Sequence, residues 1–471
     1  MSSSLAQLEV PVAASDEGLL TRWVLRELER LRGCNVAMLG VTTPLLPLDR
    51  FLALAGDEDA WLWDPPGEGG FAAIGTLCEV RASGATRFGD VQRRAEALFA
   101  GIGSAHRTRP EASLPRLFGG FSCFSNLAAD PLWDAWGEAR FVLPRIFYEI
   151  HDDGTATLGI ACDLERPLSR QELAREVALT LTSYLRRLTT EHPTEPALPV
   201  SVSVLERKEL GQAEWRTLVG QIRASIEAEN LEKIVAARRS SLRLKPDPEW
   251  RQVLLRLAAD NAACTRFALK YGNSAFLGAT PERLVRKLGT QFDTEALAGS
   301  ARSGPEGALA LLESAKDLEE HAIVVREILR ALEPFAESLT APKAPHVHAL
   351  QYVSHLRTPI SGVLAAPTHI LELVAALHPT PAVGGVPKER AQRFIEAHER
   401  DRRGWYAGPI GWFDSQGDGS FAVALRSALL KGDQAHLYAG AGIVRGSEPD
   451  AEYQETELKF QGLLRALGVS G

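Results

Sequence analysis

One lysine of the sequence stands among apolar residues at the spacing of a β-strand. In the run 231–237 (LEKIVAA), side chains alternate between two faces, so Lys233 shares a face with Val235 and Ala237. Two interpretations stay open at this point. On an edge strand the side chain would reach solvent, which is the commoner outcome. In an enclosed position, desolvation would disfavour the ammonium form, and the neutral amine could then serve as a general base.

A glutamate in a turn sequence could supply the complementary acid. Glu282 lies in the segment 278–284 (GATPERL), between two strand-like runs. Loops carry many functional groups, but most loop glutamates are simply solvated. Taken alone, Glu282 is therefore expected to face solvent.

Two pairs of carboxylates have the spacing of a shared helix face. Asp317 and Glu320 are three residues apart, as are Glu452 and Glu455. Each pair could offer hard oxygen ligands to Mg²⁺. With 60 acidic residues in 471, about eight such spacings arise by chance, so solvated helix faces are the default. Lys459, four residues after Glu455, forms either a surface ion pair or part of the same site.

Two further segments could contact a ligand. The segment 440–442 (GAG) ends a strand shortly before a helix opened by Ser447 and Pro449, where free backbone N–H groups can receive a carboxylate. His378 lies in the segment 377–381 (LHPTP), whose prolines exclude a helix interior. Its imidazole either binds a ligand or merely hydrogen-bonds the loop.

The elements that must position these residues combine sheets and helices. In the first part of the chain, Ser15 or Asp16 can cap a helix that Gly33 ends, with apolar positions at helical spacing. Short strand-like runs follow, separated by turn residues, as in an antiparallel sheet. These runs are 61–63, 71–75, 118–121 and 147–150.

The second part of the chain mixes the same two kinds of element. Helical periodicity covers 212–229, 309–332 and 448–467, whereas 231–238, 276–278, 421–425 and 436–440 are strand-like. Between the two parts, the segment 191–199 (EHPTEPALP) holds three prolines in seven residues and favours extended backbone. We therefore predict an N-terminal half at 1–195 and a second half at 196–471.

Composition excludes several classes of protein. With 45% hydrophobic, 24% charged and 7% aromatic residues, the chain is typical of a globular protein. A net charge of −8 argues against a general grip on nucleic acid or an anionic membrane. The five cysteines are scattered and show no C-x-x-C spacing, which argues against a disulfide framework or a zinc site. No basic residue precedes Arg22 and no apolar run is long enough to span a membrane, so a cytoplasmic protein is expected.

Taken in order, the segments resemble the chorismate-utilising enzyme family. This family includes isochorismate synthases, anthranilate synthase component I, aminodeoxychorismate synthases and salicylate synthases. The resemblance covers roughly 212–467, with a weaker echo at 118–121 (FGGF). Its motifs are GATPERL (278–284), EALAGSARSG (295–304), KDLEEH (316–321), LHPTPAVGG (377–385), RGWYAGPIGW (403–412), YAGAGIVRGSEP (438–449) and EYQETELK (452–459).

The resemblance implies both a fold and a metal. The fold is α/β (α+β), with two pseudo-symmetric halves whose largely antiparallel sheets stack, helices outside, and an active site in a cleft toward the C-terminal half. The implied cofactor is Mg²⁺, which would bind the ring carboxylate of chorismate. Glu320 and Glu455 match the direct ligands of the ion, and Asp317 and Glu452 match carboxylates that hold its waters.

The remaining site residues also follow from the resemblance. His378 matches a histidine near the substrate ring, and Lys233 fits the branch in which water is the nucleophile. Gly299 and Ser300, in the segment 298–300 (AGS), resemble the isochorismate synthase branch and are expected to contact substrate. The positions that match holders of the substrate's carboxylates are Tyr406, Arg426, Gly442 and Lys459.

The expected activity is Mg²⁺-dependent isomerisation of chorismate to isochorismate, for menaquinone or siderophore biosynthesis. Lys233 would take a proton from water as it attacks ring C2, and Glu282 would protonate the departing C4 hydroxyl on the opposite side. Three alternatives remain: a salicylate synthase, an aminating enzyme with a glutaminase partner, and a non-catalytic chorismate-binding protein. With the first expectation, the partner is the small-molecule substrate alone, with no glutaminase subunit, nucleic acid or membrane.

Overall fold

The structure, a computed structural model, describes residues 17–108, 114–125, 130–190, 202–228 and 230–469. Strands make up most of its framework. The predicted capping residues Ser15 and Asp16 and the Pro-rich segment 191–199 lie outside the described residues. The strands are β1 (Val36–Thr43), β2 (Ala60–Asp64), β3 (Phe71–Ala82), β4 (Ile102–His106), β5 (Arg116–Phe121), β6 (Ala139–Ile150), β7 (Ala156–Asp163), β8 (Ser203–Glu209), β9 (Lys233–Lys245), β10 (Thr265–Tyr271), β11 (Ser274–Thr280), β12 (Arg283–Leu288), β13 (Gln291–Arg302), β14 (Ala336–Thr340), β15 (His346–Ala349), β16 (Val353–Leu364), β17 (Gly385–Val386), β18 (Pro409–Asp414), β19 (Gly419–Val423), β20 (Ser427–Lys431) and β21 (Gln434–Ile443).

Helices cover the outside of these strands. Among the described residues, no helix is both long enough and apolar enough to cross a membrane. The helices are α1 (Glu17–Arg30), α2 (Leu48–Leu52), α3 (Arg87–Phe99), α4 (Arg170–Thr190), α5 (Gln212–Glu227), α6 (Trp250–Asp260), α7 (Pro305–Glu313), α8 (Ala315–Leu332), α9 (Ile370–Leu377), α10 (Lys388–His398) and α11 (Pro449–Leu467).

Most of the strands form two ladders that share β6. The first runs β8–β9–β21–β20–β11–β10–β2–β3–β6–β7–β1–β4. The second runs β6–β5–β18–β19–β12–β13–β16. Strand β6 joins both because its first residues pair with β5 and its last with β7, and the β3–β6 pairing carries a bulge between Thr76 and Cys78. A bulge bends a strand, which lets it pass from one layer to the other.

The largest aromatic residues of the core pack between the two ladders. Trp61 and Phe276 from the first ladder belong to the same buried cluster as Phe118 and Phe421 from the second. A separate cluster fills the space between the first ladder and helices α1, α4, α6 and α11. Of the strand pairs described, only β1–β4 is parallel, so the expectation of stacked, largely antiparallel sheets with outer helices is confirmed.

Strands that precede the segment 191–201 pair directly with strands that follow it. Strand β2 pairs with β10, and β5 pairs with β18. The predicted boundary at 195/196 itself lies outside the described residues. These pairings mean that the walls of the second half are built partly on strands of the first.

Several predicted elements differ in extent from those observed. The helical pattern over 309–332 is two helices, α7 and α8, because Ser314 leaves the helical conformation and its side chain accepts a hydrogen bond from the Asp317 backbone N–H. This N-cap starts a new helix at Ala315. The strand predicted at 231–238 begins only at Lys233 and continues to Lys245, and that predicted at 421–425 is Gly419–Val423.

Candidate active site

One cavity gathers most of the residues that the sequence singled out. It lies where β13 and β21 face helices α8 and α11 and the connections that precede β12, β18 and β20. The predicted residues that line it are Glu282, Gly299, Ser300, Glu320, Tyr406, Arg426, Gly442, Glu455 and Lys459. Lys233, Asp317, Glu452 and His378 do not line it.

Lys233 lies just behind the cavity wall. Its side chain is 0% exposed, and Nζ lies 2.9 Å from Glu320 Oε1. This contact is an ion pair and not a hydrogen bond. Among the described residues, Nζ has no hydrogen-bond partner. Strand β9 is flanked by β8, β17 and β21, so the side chain cannot reach solvent as an edge-strand lysine would. The structure excludes that interpretation.

The absence of a side chain at Gly442 makes room for this ion pair. A Cβ built at Gly442 would overlap Glu320 Oε1 and lie 3.2 Å from Lys233 Cε. Strand β20 pairs with β21 only as far as Leu437. Beyond that point, the edge of β21 opposite β9 has no strand partner among the described residues, which leaves its glycine-rich end open to the cavity.

Glu282 is buried, contrary to what its turn sequence suggests. The residue lies between β11 and β12 and is 3% exposed. Burial, together with the nearby Glu295 carboxylate, raises the pKa of Glu282 to about 8, although the Thr380 hydroxyl and the Lys233 charge oppose the shift. Thr380 Oγ1 donates a hydrogen bond to Glu282 Oε1 at 3.2 Å. A carboxyl group with a pKa in this range is largely protonated at pH 7 and can act as an acid.

The four spaced carboxylates converge from two helices. Asp317 and Glu320 belong to α8, and Glu452 and Glu455 to α11. Burial raises the pKa of Asp317, and the charges of Glu320 and Glu455 raise it further. Burial also raises the pKa of Glu452, again with the charge of Glu455. The carboxylates therefore interact with one another, and the expectation of fully solvated helix faces is wrong.

Three of these carboxylates are paired with lysines. Besides the Lys233–Glu320 pair, Lys316 Nζ lies 2.7 Å from Glu452 Oε1. Lys459 Nζ lies 2.6 Å from Glu455 Oε1 and also donates to the Gly440 carbonyl at 2.8 Å. Lys459 therefore forms the i,i+4 ion pair with Glu455 inside the cavity wall, not on an open helix surface.

The donor set of this cluster suits a hard divalent cation in its chemistry. Carboxylate oxygens are the ligands that Mg²⁺ prefers, and the cluster contains no thiolate or imidazole from the predicted set. As the side chains stand, however, no three His, Cys, Asp or Glu residues within the described ranges are close enough together to hold a metal ion. Lysines pair with three of the carboxylates, so a cation that binds there would have to displace a lysine from its carboxylate.

Arg426 brings a positive charge to the cavity wall without a carboxylate to balance it. No Asp or Glu of the described residues lies within 4 Å of its guanidinium, whereas Arg403, on the same cavity, is paired with Glu399 at 2.5 Å. Arg426 also has φ = 47°, in the left-handed region that non-glycine residues rarely adopt. Such strain is concentrated at functional sites, where the surroundings enforce it.

Tyr406 forms an aromatic side of the cavity. It is 4% exposed, and its ring stacks on that of Tyr438 with 5.1 Å between centroids. The next residue, Ala407, has φ = 62°. Gly299 and Ser300 line the same cavity from β13, where the register with β16 shifts between Ala298 and Ser300.

His378 hydrogen-bonds to a distant backbone carbonyl and does not line the cavity. Its Nε2 donates to the Cys123 carbonyl at 2.8 Å, and the residue is 3% exposed. Its Nδ1 has no hydrogen-bond partner among the described residues. Of the two interpretations of this histidine, the structure supports the one in which it anchors the loop.

The sequence did not single out several residues that shape the site. Glu295, Thr380 and Arg403 all lie inside segments noted for other residues, so the segment was visible but the role was not. The Glu399 carboxylate accepts hydrogen bonds from the Arg403 guanidinium and from the Ala237 backbone N–H. His355 accepts a hydrogen bond from Arg426 at 2.8 Å, and a single histidine in a strand gives no spacing signal that would reveal it.

Comparison with known proteins assigns this chain to a family. The sequence profile described as "Chorismate binding enzyme" matches residues 35–468. The chain belongs to the chorismate-binding enzyme family. Its match extends over both halves, beyond the range that the motifs alone covered.

Individual relatives agree with this membership. The chain is 38% identical over 439 residues to the salicylate biosynthesis isochorismate synthase of Pseudomonas aeruginosa, which covers 91% of this chain and 89% of the relative. It is 34% identical to isochorismate synthase MenF of Bacillus subtilis over 75% of each protein. Among solved structures, the menaquinone-specific isochorismate synthase MenF of Escherichia coli has a TM-score of 0.76 and 26% identity, covering 95% of this chain and 99% of that one.

Replacement of Gly442 by alanine tests how the cavity wall is built. The added Cβ should push the Glu320 carboxylate into the cavity, where its charge would repel an anionic ligand. We expect chorismate binding, measured by titration calorimetry, to weaken at least about tenfold, or about 1.4 kcal/mol.

Gly220→Ala is the matched control, because a Cβ at Gly220 on helix α5 meets nothing within 4 Å. Equal chorismate affinity in the Gly442→Ala variant, the Gly220→Ala variant and the wild type would contradict this description of the wall.

Proposed function

We propose that this protein is an isochorismate synthase that converts chorismate to isochorismate. The observation that carries the proposal is the burial of Glu282 in a cavity that Arg426 and Lys459 also line, with the buried Lys233 just behind its wall. This combination provides an acid, a candidate base and anion-binding groups at one place. Relatives named isochorismate synthase span most of the chain. Their printed names include salicylate and menaquinone pathways, and the product here would feed menaquinone, siderophore or salicylate biosynthesis.

Chorismate carries two carboxylates, and the cavity supplies cations for an anion of this kind. Arg426 has no carboxylate partner among the described residues, and its planar guanidinium suits bidentate contact with a carboxylate. Lys459 lines the same cavity from α11. We assign the recognition of the substrate's carboxylates to these two residues, with Tyr406, Gly442, Gly299 and Ser300 shaping the space around them.

The reaction exchanges one hydroxyl group for another. In the proposed mechanism, water attacks ring C2 while the double bonds shift and the C4 hydroxyl departs. Glu282 gives its proton to that hydroxyl, which leaves as water, and Lys233 accepts the proton of the attacking water. For this role Lys233 must first lose its ammonium proton, and with it the ion pair to Glu320. One water enters and one leaves, so the substrate and the product are isomers.

The carboxylate cluster is the proposed site for Mg²⁺. Glu320 and Glu455 line the cavity and would bind the ion directly, whereas Asp317 and Glu452 stand behind them and would hold its waters. Bound there, the ion would neutralise the ring carboxylate of the substrate. Lysines pair with three of the four carboxylates, Glu320, Glu452 and Glu455, and a bound cation would compete with these lysines.

The first test is the identity of the product, with Lys233 as the variable. We expect wild-type protein with chorismate and Mg²⁺ to give isochorismate by chromatography. Lys233→Ala should lower turnover by at least about 100-fold, because general base catalysis contributes about 10²–10⁴-fold, while calorimetry still detects chorismate binding. Lys208→Ala is the matched control, since Lys208 is exposed on β8.

Near wild-type turnover in Lys233→Ala would contradict the role of Lys233 as the general base. Salicylate formed without a second enzyme would favour a salicylate synthase, and an amino product formed from ammonia would favour an aminating enzyme.

The second test is the pH dependence of turnover. Glu282 acts as an acid only when protonated, and burial with the Glu295 charge raises its pKa to about 8. Activity should therefore be present below pH 8 and fall as the pH rises through about 8. Glu295→Gln removes a negative charge that disfavours ionisation of Glu282, so it should move this alkaline limb to lower pH.

Glu282→Gln provides the reference for this assignment, because it cannot donate the proton, and turnover should fall by about 10²–10⁴-fold. An alkaline limb that stays in place in Glu295→Gln would show that another group controls it.

The third test removes the metal. After treatment with EDTA, turnover should be lost, and added Mg²⁺ should restore it. Calorimetric titration with Mg²⁺ should show binding to the wild type that is at least about tenfold weaker in Glu320→Gln, because one hard ligand is lost. Glu319→Gln is the matched control, since Glu319 is the exposed neighbour on the same helix. Full activity after EDTA, or equal Mg²⁺ affinity in the two variants, would disprove the site.

A further inference from the structure

The guanidinium of Arg426 needs a device that fixes its orientation. Buried arginines are usually held by carboxylates, as Arg403 is by Glu399. Arg426 has no such partner among the described residues, and a carboxylate there would compete with an anionic substrate. A neutral hydrogen-bond acceptor would orient the side chain without neutralising its charge.

His355 on β16 provides such an acceptor. Arg426 Nη2 lies 2.8 Å from His355 Nε2, and since arginine only donates, Nε2 must accept. His355 Nδ1 lies 3.0 Å from the Gly299 carbonyl oxygen, to which it donates. The two contacts together require the neutral tautomer with its proton on Nδ1. His355 is 7% exposed, so water does not compete strongly for either bond.

The surroundings keep this imidazole neutral. Burial lowers the pKa of His355 well below its usual range, and the positive charges of Arg426 and Lys459 lower it further. A protonated ring would carry a second N–H toward the guanidinium and could not accept its hydrogen bond. The neutral form is therefore the one that can hold Arg426.

The strand geometry next to His355 has a matching irregularity. His355 is paired with Ser300 on β13, and the register shifts between Ala298 and Ser300 so that Gly299 is the extra residue. Gly299 has φ = 75°, which favours glycine. This bulge brings the Gly299 carbonyl oxygen within hydrogen-bond distance of His355 Nδ1. Ser300 Oγ lies 3.2 Å from the same nitrogen.

We propose that His355 is a positioning residue that orients the Arg426 guanidinium toward a substrate carboxylate, with the Gly299 bulge fixing its tautomer. The inference rests on the proposed function, because the anion that Arg426 receives is taken to be a carboxylate of chorismate. His355 also lines the cavity, but both of its ring nitrogens are engaged, Nε2 by Arg426 and Nδ1 by the Gly299 carbonyl, so the inference gives it no proton transfer to the substrate. Its loss should therefore weaken substrate binding more than it slows the chemical step.

Two amide substitutions separate the two hydrogen bonds of the ring. The amide of glutamine reaches the place of Nε2, so His355→Gln can keep an acceptor for Arg426 while losing the bond to Gly299. The amide of asparagine reaches the place of Nδ1, so His355→Asn keeps the bond to Gly299 and loses Arg426. We expect His355→Asn to raise the KM for chorismate about tenfold with kcat within about threefold of wild type. His355→Gln should stay near wild type in both constants.

A purely structural role for His355 gives a different pattern. If the histidine only stabilises the bulge, His355→Gln should be the more damaged variant, which would overturn the proposal. Equal damage in both variants, or no change in His355→Asn, would also overturn it. His346→Gln, at an exposed histidine on the neighbouring β15, controls for the substitution itself.

A measurement that needs no turnover covers the case in which an asparagine or glutamine variant does not fold. In protein labelled with ¹⁵N-histidine, the His355 resonances should show Nδ1–H and an Nε2 shifted by an accepted hydrogen bond. Arg426→Gln should move the Nε2 resonance toward the value of an unbonded nitrogen, and no movement would overturn the proposal. If the wild type shows these shifts but makes no isochorismate, the proposed function fails while the His355–Arg426 contact stands.

Discussion

The enclosure of ionisable groups between the β-sheet and helices α8 and α11 is the constraint on which the rest of the site depends. A carboxyl group exposed to water at pH 7 is ionised, whereas burial beside the Glu295 charge raises the pKa of Glu282 to about 8. The same enclosure brings Lys233 against Glu320 with no access to solvent. Burial of charges costs free energy unless they are paired, which explains why lysine–carboxylate pairs surround the cavity. The exception is Arg426, whose unbalanced charge suits an anionic ligand.

The backbone is as important to this enclosure as the side chains. Gly442 leaves space for the Glu320 carboxylate, and the Gly299 bulge turns a carbonyl toward His355. The positive φ at Arg426 turns the chain just before β20. Gly442 lies on β21 of the first ladder and Gly299 on β13 of the second, so the pairings of both ladders hold the cavity wall in place. The pairing of β5 with β18 and of β2 with β10 ties that wall to the first half of the chain.

Sequence patterns predicted the framework well because strand alternation and helix periodicity follow directly from which face is buried. They placed α5 and α11 nearly correctly and found β9 and β21 with shorter bounds. The resemblance brought nine residues of one cavity together before any coordinates were considered. Local patterns could not decide burial, which depends on contacts from distant segments. Glu282 lies in a turn and is nonetheless buried, and His378 is held by the distant Cys123 carbonyl. His355 escaped notice because its partners, Gly299 and Arg426, lie 56 and 71 residues away along the chain.

The central claim is that Glu282 carries a proton at neutral pH, and its ionisation can be measured directly. Protein labelled at the glutamate side-chain carboxyl carbon can be titrated by ¹³C NMR, with Glu282→Gln identifying the resonance of interest. The account predicts that this resonance titrates with a midpoint at about 8. A midpoint near 4.5, the ordinary value for glutamate, would mean that Glu282 is ionised at neutral pH and would contradict its role as the acid.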